Sequence, residues 1–194
     1  MSDIAILKEM IQESATVPLE EHKGKKQVIL KEPPPADYSV TIDGMPDDAQ
    51  VIVIKADAFP APSKIFTSSK GQCKRADFAI IADTPTEKII FCIEMKKKKG
   101  KTKNIIQQQL TGAKCFVDYC KEIGKAFWHQ QNFLDAYEYR FVSIGHIPIS
   151  KGKTRNNRST ETNDRLTEIH DRPDRMLKIS RPNKLQFNHL IYGR

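Results

Sequence analysis

The chain has 194 residues, of which 39% are hydrophobic and 29% are charged, and its formal net charge is +8. This length and composition predict one soluble globular domain over residues 1–194. No apolar run approaches the roughly 18 residues that a bilayer requires, and the start lacks a signal-peptide pattern, so a cytoplasmic location is predicted. The positive charge favours a polyanionic partner. Nucleic acid is favoured over a membrane because no basic amphipathic helix accompanies the lysines.

The first half of the chain alternates between short regular elements and polar connections. Apolar residues recur at helical spacing over residues 3–14, which predicts an amphipathic helix. Residues 15–36 are polar and end in three consecutive prolines, so they are predicted to be a connector without regular structure. The apolar run 51–54 predicts a buried strand, and the proline-containing stretch 59–72 predicts a loop.

The second half carries the clearest periodic signals. Two apolar runs, 77–82 and 88–95, are joined by a short proline-containing turn and predict a hairpin. Apolar residues at alternating spacings of four and three predict a long helix over 104–123, and the stretch 139–149 predicts a further strand. The polar, basic stretch 150–165 is predicted to be a mobile loop. The order helix, three strands, helix, strand predicts an α/β fold with a mixed central sheet flanked by helices.

A carboxylate and an amine meet where the second strand of the predicted hairpin ends. Successive side chains of a strand point to opposite faces, so Glu94 and Lys96 share one face. Asp77 opens the preceding strand and can lie beside them when the two strands pair. Two carboxylates and a lysine at one spot predict a divalent-metal site that hydrolyses phosphodiester bonds.

This constellation resembles the motif of the PD-(D/E)xK nuclease superfamily, whose fold is that of many restriction endonucleases. Asp77 matches the aspartate that opens a strand in the family motif, although Ala76 stands where the motif often has proline. Glu94 and Lys96 match the second half of the motif. The resemblance covers the region 77–120 and implies a restriction-endonuclease-like core with the order α-β-β-β-α-β.

The resemblance also implies how such a site would work. Asp77, Glu94 and the backbone carbonyl of Met95 would bind Mg²⁺, for which Mn²⁺ can substitute. Lys96 would either activate the attacking water or stabilise the charge that develops on the phosphoryl oxygens. By analogy with the family, DNA is favoured over RNA, and a homodimer would be needed to cut both strands. Defence against foreign DNA or a mobile element is the expected setting.

Two further site residues are expected from the same resemblance. Helices after this motif often carry a glutamine, and Gln109 is favoured over the two glutamines before it because it precedes core-facing Leu110. An acidic residue on the first helix is the other expectation, with Glu9 ranked ahead of Glu13, one turn away on the same face. Two glutamates of the connector compete with them, namely Glu20 and Glu21.

Basic residues follow the motif and recur near the end of the chain, and we expect them to bind the nucleic-acid backbone. Positive charge at a helix N-terminus opposes the helix dipole, so a lysine run in that position is better explained if a phosphate backbone binds there. The residues assigned to this role are Lys97, Lys98, Lys99, Lys101, Lys103, Arg155 and Arg158.

Three other interpretations stay open at the level of the sequence. In the simplest, Glu94 and Lys96 end a strand that emerges into solvent, and the lysines guard its edge against pairing. In the second, the chain is a catalytically silent basic module that binds nucleic acid on the same fold and needs no metal ion. In the third, it is a protein-interaction domain with affinity for neither metal nor nucleic acid.

Overall fold

The computed structural model describes residues 1–32, 38–96, 102–145, 169–180 and 182–193. Residues 146–149 of a predicted strand and the predicted mobile loop 150–165 lie outside these ranges. The helices and strands of the described ranges are, in chain order, α1 (Asp3–Met10), β1 (Glu20–His22), β2 (Lys25–Glu32), β3 (Tyr38–Asp43), β4 (Val51–Lys55), β5 (Phe78–Asp83), β6 (Lys88–Lys96), α2 (Lys103–Phe127), β7 (Glu138–Gly145), β8 (Leu177–Ser180), β9 (Lys184–Gln186) and α3 (Phe187–Tyr192). Among these helices none is both long and apolar enough to cross a membrane.

Five strands form a mixed sheet in the order β4-β5-β6-β7-β8. β4, β5 and β6 pair antiparallel, whereas β7 pairs parallel with β6 and β8 pairs parallel with β7. Parallel neighbours require a crossover, and α2 supplies it between the end of β6 and the start of β7. The predicted hairpin, long helix and mixed α/β fold are thus confirmed, with element ends shifted by a few residues.

A second sheet occupies much of the predicted connector 15–36, so that prediction is wrong over residues 20–32. β1, β2 and β3 pair antiparallel, and β9 joins β3 in parallel. Along β2, Val28 and Leu30 are buried, while Lys31 is exposed. Charged and polar residues dominate this strand outside its apolar centre, so it looks like a connector in the sequence. Its few apolar side chains are buried only because another sheet faces them, which a local pattern does not reveal.

The five-stranded sheet is covered on both faces. On one face, α1 and α2 pack against strand residues that include Ile81 and Cys92. On the other face, the four-stranded sheet and α3 pack against Phe91 and Ile93. Side chains of β6 therefore alternate between a helical core and a sheet core, as the pleat requires. The same alternation places Glu94 on the helical face, next along from Cys92.

The first helix is shorter than the predicted span 3–14 and ends at Met10. The chain then turns and runs beside β4, where the Val17 N–H donates a hydrogen bond of 2.9 Å to the Val53 carbonyl. Backbone groups that pair with β4 in this way are not available in a helix. The helix therefore ends before the helical spacing of apolar residues does. This course brings residues 16–18 to the end of the two sheets where the candidate site lies.

Candidate active site

Asp77, Glu94 and Lys96 come together where β5 begins and β6 ends. The antiparallel register of the two strands places Asp77 opposite Glu94 when it is continued by one residue. Asp77 Oδ2 accepts a hydrogen bond of 2.6 Å from the Met95 N–H. The structure thus gathers the three residues that the sequence pattern singled out.

Glu94 is fully buried, and the ammonium group of Lys96 is in contact with it. The glutamate side chain is 0% exposed and that of Lys96 is 16% exposed, with Lys96 Nζ against Glu94 Oε1. A buried carboxylate is strongly unfavourable unless it is paired, so this contact is what permits a charge at this depth. The interpretation of Glu94 as part of a strand end that emerges into solvent is therefore wrong.

The carboxyl group of Asp77 holds its proton more tightly than an ordinary aspartate. Burial raises its pKa from 3.8 to about 6. The hydrogen bond from Met95 and the charge of Lys96 lower this pKa, whereas the carboxylates of Glu32 and Asp57 raise it. A carboxyl group whose ionisation is opposed by burial and by two like charges is one that a bound cation would stabilise.

Asp77 also borders a cavity of about 520 Å³ at the ends of β2 and β4. The charged residues that line this cavity are Glu20, Lys31, Glu32, Lys55, Asp57 and Asp77. No sequence pattern pointed to Glu32 or Asp57. Asp57 lies two residues beyond a buried apolar strand, which is a signal that could have identified it. Glu32 ends a strand that the sequence pattern did not reveal, so its position could not be inferred.

The helix α2 holds the segment that leads into β5. Gln109 is buried in this helix, and its Nε2 donates a hydrogen bond of 3.2 Å to the Arg75 carbonyl. Nearly one turn further along, Gly112 lies so close to the segment that a Cβ atom there would be 1.8 Å from the Lys74 carbonyl oxygen. Both contacts are made two or three residues before Asp77. Gln109 therefore acts on the site by holding the backbone that positions this aspartate.

The four N-terminal glutamates, all within the described residues, lie in different places. Glu9 Oε2 accepts a hydrogen bond of 3.1 Å from Trp128 Nε1. Trp128 caps the C-terminal end of a 25-residue helix, which spans roughly 37 Å, so Glu9 is not brought to the site. Glu13 and Glu21 border two separate cavities. Glu20 borders the cavity of Asp77 and is the acidic residue that the structure favours there.

Two carboxylates and a backbone carbonyl are available at this site as ligands for a metal ion. Within the described residues, no group of three or more histidine, cysteine, aspartate or glutamate side chains is placed to hold a metal ion. A strand residue directs its N–H and C=O toward the same neighbour, so the Met95 carbonyl is directed to the side of Asp77. Asp77, Glu94 and this carbonyl are hard oxygen donors in a number that suits Mg²⁺, which usually keeps several waters. A cation bound here would contact the Glu94 carboxylate, which also contacts the ammonium group of Lys96.

The residues assigned to backbone binding fall largely outside the described ranges. Lys103 is described, and it is the exposed first residue of α2, directly after the N-cap Thr102. The residues outside the described ranges are Lys97, Lys98, Lys99, Lys101, Arg155 and Arg158.

Comparison with known proteins identifies no relative. No protein-family model matches the chain, and neither a curated protein nor a solved structure matches it. The interpretation of the site therefore rests on its geometry and chemistry.

Proposed function

We propose that this chain is a metal-dependent nuclease that hydrolyses nucleic-acid phosphodiester bonds on a restriction-endonuclease-like core. The observation that carries the proposal is the meeting of Asp77 with the buried Glu94–Lys96 pair at the ends of two adjacent strands. Apart from β1–β3, which are inserted between α1 and β4, the chain order α1, β4, β5, β6, α2, β7 supports the core that the motif implies. Carboxylates that can bind a cation, next to a lysine, are groups suited to this chemistry.

In this proposal Asp77, Glu94 and the Met95 carbonyl hold Mg²⁺, with Mn²⁺ as a substitute. The ion would neutralise charge on the phosphoryl oxygens and favour ionisation of a bound water. Lys96 balances the charge of Glu94, and the exposed part of its side chain leaves it able to reach a phosphoryl oxygen or the attacking water. Because Asp77 has a pKa of about 6, binding of the cation below that pH requires release of its proton.

The charge of the chain supports a nucleic acid as the substrate. The net charge of +8 favours a polyanion, and the exposed Lys103 stands at the start of the helix that follows β6. The likeness of the motif to the PD-(D/E)xK nucleases favours DNA over RNA. The same likeness suggests that two copies act together on a duplex, in defence or in a mobile element.

Cleavage of a supercoiled plasmid and of a single-stranded oligonucleotide, each with Mg²⁺, Mn²⁺ or EDTA, tests the proposal. We expect cleavage with either metal and none with EDTA. Asp77→Asn retains an oxygen that can accept from the Met95 N–H but removes the charge, and it should lower the cleavage rate at least about 100-fold. Asp83→Asn, at the other end of β5, is the matched control and should cleave like the wild type. Equal rates in the two variants would exclude Asp77 from the site.

A catalytically silent binding module is the second candidate, and two observations favour it. Lys96 already neutralises the buried Glu94, and the described residues contain no cluster of three or more metal-binding side chains. Such a module would bind oligonucleotides in a salt-dependent manner without cutting them. It would also show no change in melting temperature on addition of Mg²⁺ or Mn²⁺, whereas a nuclease with this site should be stabilised by the metal and lose that effect in Asp77→Asn.

A further inference from the structure

The connection between β4 and β5 is basic and carries no acidic residue over 58–76, a segment that we call the β4–β5 loop. Its cations are Lys64, Lys70, Lys74 and Arg75. None of them forms an ion pair with a carboxylate in the described part of the chain. Arg75 has two buried donors, Nε and Nη1, that find no hydrogen-bond partner among the described residues. Lys64 and Lys70 are exposed, so the loop presents to solvent positive charge that the described residues do not neutralise.

Two large apolar residues stand exposed at the tip of the β4–β5 loop. Ile65 is 82% exposed and Phe66 is 56% exposed. The backbone of Phe66 is held from both sides. Its N–H donates a hydrogen bond of 2.9 Å to the Pro62 carbonyl, and its own carbonyl accepts one of 3.5 Å from the Cys73 thiol. An aromatic ring is thus displayed to solvent on a backbone that hydrogen bonds restrain.

Both ends of the loop lie at the candidate active site. Asp57 precedes the loop and Asp77 follows it, and the two aspartates border the same cavity. Near the second end, Gly71 lies against the Gln108 side chain in α2, and the Arg75 carbonyl accepts the hydrogen bond from the next glutamine of that helix. Connections longer than about 15 residues are uncommon in compact domains unless they serve a function. The loop is therefore placed to guide a substrate toward Asp77.

We propose that the β4–β5 loop binds a single-stranded segment of nucleic acid, with Phe66 stacked on an unpaired base and the loop cations on the flanking phosphates. The substrate class rests on the proposed nuclease function. Cations interspersed with an exposed aromatic side chain are the combination that binds single strands, because every base has a face on which a ring can stack. A duplex hides those faces within its own base stack, so the preference for unpaired bases resides in Phe66.

Binding of a labelled single-stranded DNA oligonucleotide and of the matching duplex, in EDTA so that nothing is cut, tests the role of Phe66. Phe66→Ala should weaken single-strand binding by about 5- to 150-fold, the effect of losing one stacked base. Its effect on duplex binding should be at most about twofold. Phe127→Ala is the matched control, because this residue is 76% exposed at the far end of α2 and should change neither affinity.

The cations are tested by the salt dependence of the same binding. Lys64→Ala/Lys70→Ala should weaken binding of both oligonucleotides and reduce the slope of log affinity against log salt by about 1.4 for the single strand, about 0.7 for each cation. Lys23→Ala/Lys25→Ala removes two exposed lysines from the β1–β2 hairpin and should leave that slope unchanged.

Equal single-strand affinities of the Phe66 and Phe127 variants would overturn the stacking role, and unchanged salt slopes would overturn the role of the cations. A wild-type chain that binds no oligonucleotide would overturn the whole inference and point to a protein partner for Ile65 and Phe66. Cleavage separates this inference from the nuclease proposal. If the chain never cuts but Phe66→Ala weakens single-strand binding, the role of the loop is supported and the nuclease proposal is wrong. If the chain cuts while its loop variants bind normally, the nuclease proposal is supported and the role of the loop is wrong.

Discussion

The β5–β6 hairpin carries a carboxylate and a lysine at each of its two ends, in opposite environments. At the turn, Lys88 Nζ lies 2.8 Å from Asp83 Oδ2, and the two side chains are 43% and 24% exposed. At the other end, Glu94 is buried against Lys96. One pair of strands therefore holds a solvent-exposed ion pair and a buried one.

The comparison of the two pairs indicates that the stability of the fold does not by itself explain the buried pair. An exposed ion pair contributes about 0–1 kcal/mol and serves a surface turn well. A buried pair loses hydration that its attraction only partly offsets, and an apolar pair of similar size is often as stable or more so. Packing of the helical core does not require Glu94 and Lys96. A buried ion pair beside a carboxyl group with a raised pKa is an arrangement expected where the groups take part in chemistry, which supports the proposed site.

Lys96→Met should produce the largest change in stability. It leaves the buried Glu94 carboxylate without its ammonium partner, which is expected to lower the free energy of unfolding by about 3–5 kcal/mol in urea titrations. Lys88→Met, at the exposed pair, should lower it by about 1 kcal/mol or less.

The double variant Glu94→Gln/Lys96→Met completes the comparison of the two pairs. It removes both charges, so it should recover a large part of the stability that Lys96→Met loses, a non-additivity that neighbouring charges show. If the single and double variants were equally stable, the pair would not be buried in the way described. The cycle also matters for cleavage assays, since a Lys96 variant can lose activity merely by unfolding.

Gly112→Ala and Gly124→Ala extend the comparison to two positions of α2, one in contact with the segment before Asp77 and one near the C-terminal end of the helix. An added methyl group would collide with the Lys74 carbonyl at Gly112 and with the Phe133 ring at Gly124. Each substitution should lower the free energy of unfolding by roughly 1–3 kcal/mol because the helix must shift. Gly112→Ala should also slow cleavage, since it displaces the segment before Asp77. Cleavage by Gly124→Ala, measured well below its melting temperature, should remain near the wild-type rate.

The pH dependence of stability should show a smaller effect than Lys96→Met, and it reports on Asp77. Its pKa is raised to about 6 in the folded protein from the ordinary 3.8, so the folded state holds the proton more tightly. The resulting stabilisation is present at low pH and is lost as the pH rises through 6. Between pH 5 and pH 8 the free energy of unfolding should fall by about 1.4 kcal/mol from this group.

Two variants isolate the contribution of Asp77 to this slope. Asp77→Asn has no carboxyl group to ionise there and should lack this decline in urea titrations done in EDTA. Asp83→Asn, at the exposed pair, should retain it. A decline of the same size in Asp77→Asn would assign the effect to another group. Saturating Mg²⁺ should flatten the slope in the wild type, because a bound cation stabilises the ionised form of Asp77.

The two sheets differ in how much of them the sequence could predict. The strands β4, β5 and β6 are buried on both faces, so their runs 51–54 and 89–93 are apolar throughout and stand out. β2 and β3 are buried on one face only, and β2 is dominated by charged residues outside its apolar centre. Their apolar residues match a strand, but the surface that buries them comes from elsewhere in the chain. The connector interpretation failed for this reason.

The residues of the candidate site likewise divide into those that the sequence could predict and those that it could not. Alternation along one strand is a local property, and it sufficed to group Glu94 with Lys96 and to bring Asp77 to their side. Gln109 was identified by its place next to the core-facing stripe of its helix. Glu9 was expected at the site from the first helix, but that helix packs with Glu9 toward Trp128 at the far end of α2. The position of one helix along another is set by the packing of their side chains, which no local pattern encodes.

The sequence by itself thus determined four of the five strands of the central sheet, β4 to β7, together with the crossover helix and the three residues that meet where β5 begins and β6 ends. These features follow from periodicity and strand pairing between near neighbours in the chain. Only the tertiary structure decided that a second sheet covers one face, that Glu32 and Asp57 stand near Asp77, and that Glu94 is fully buried. Each depends on contacts between segments far apart in sequence, and burial sets both the pKa of Asp77 and the need of Glu94 for Lys96.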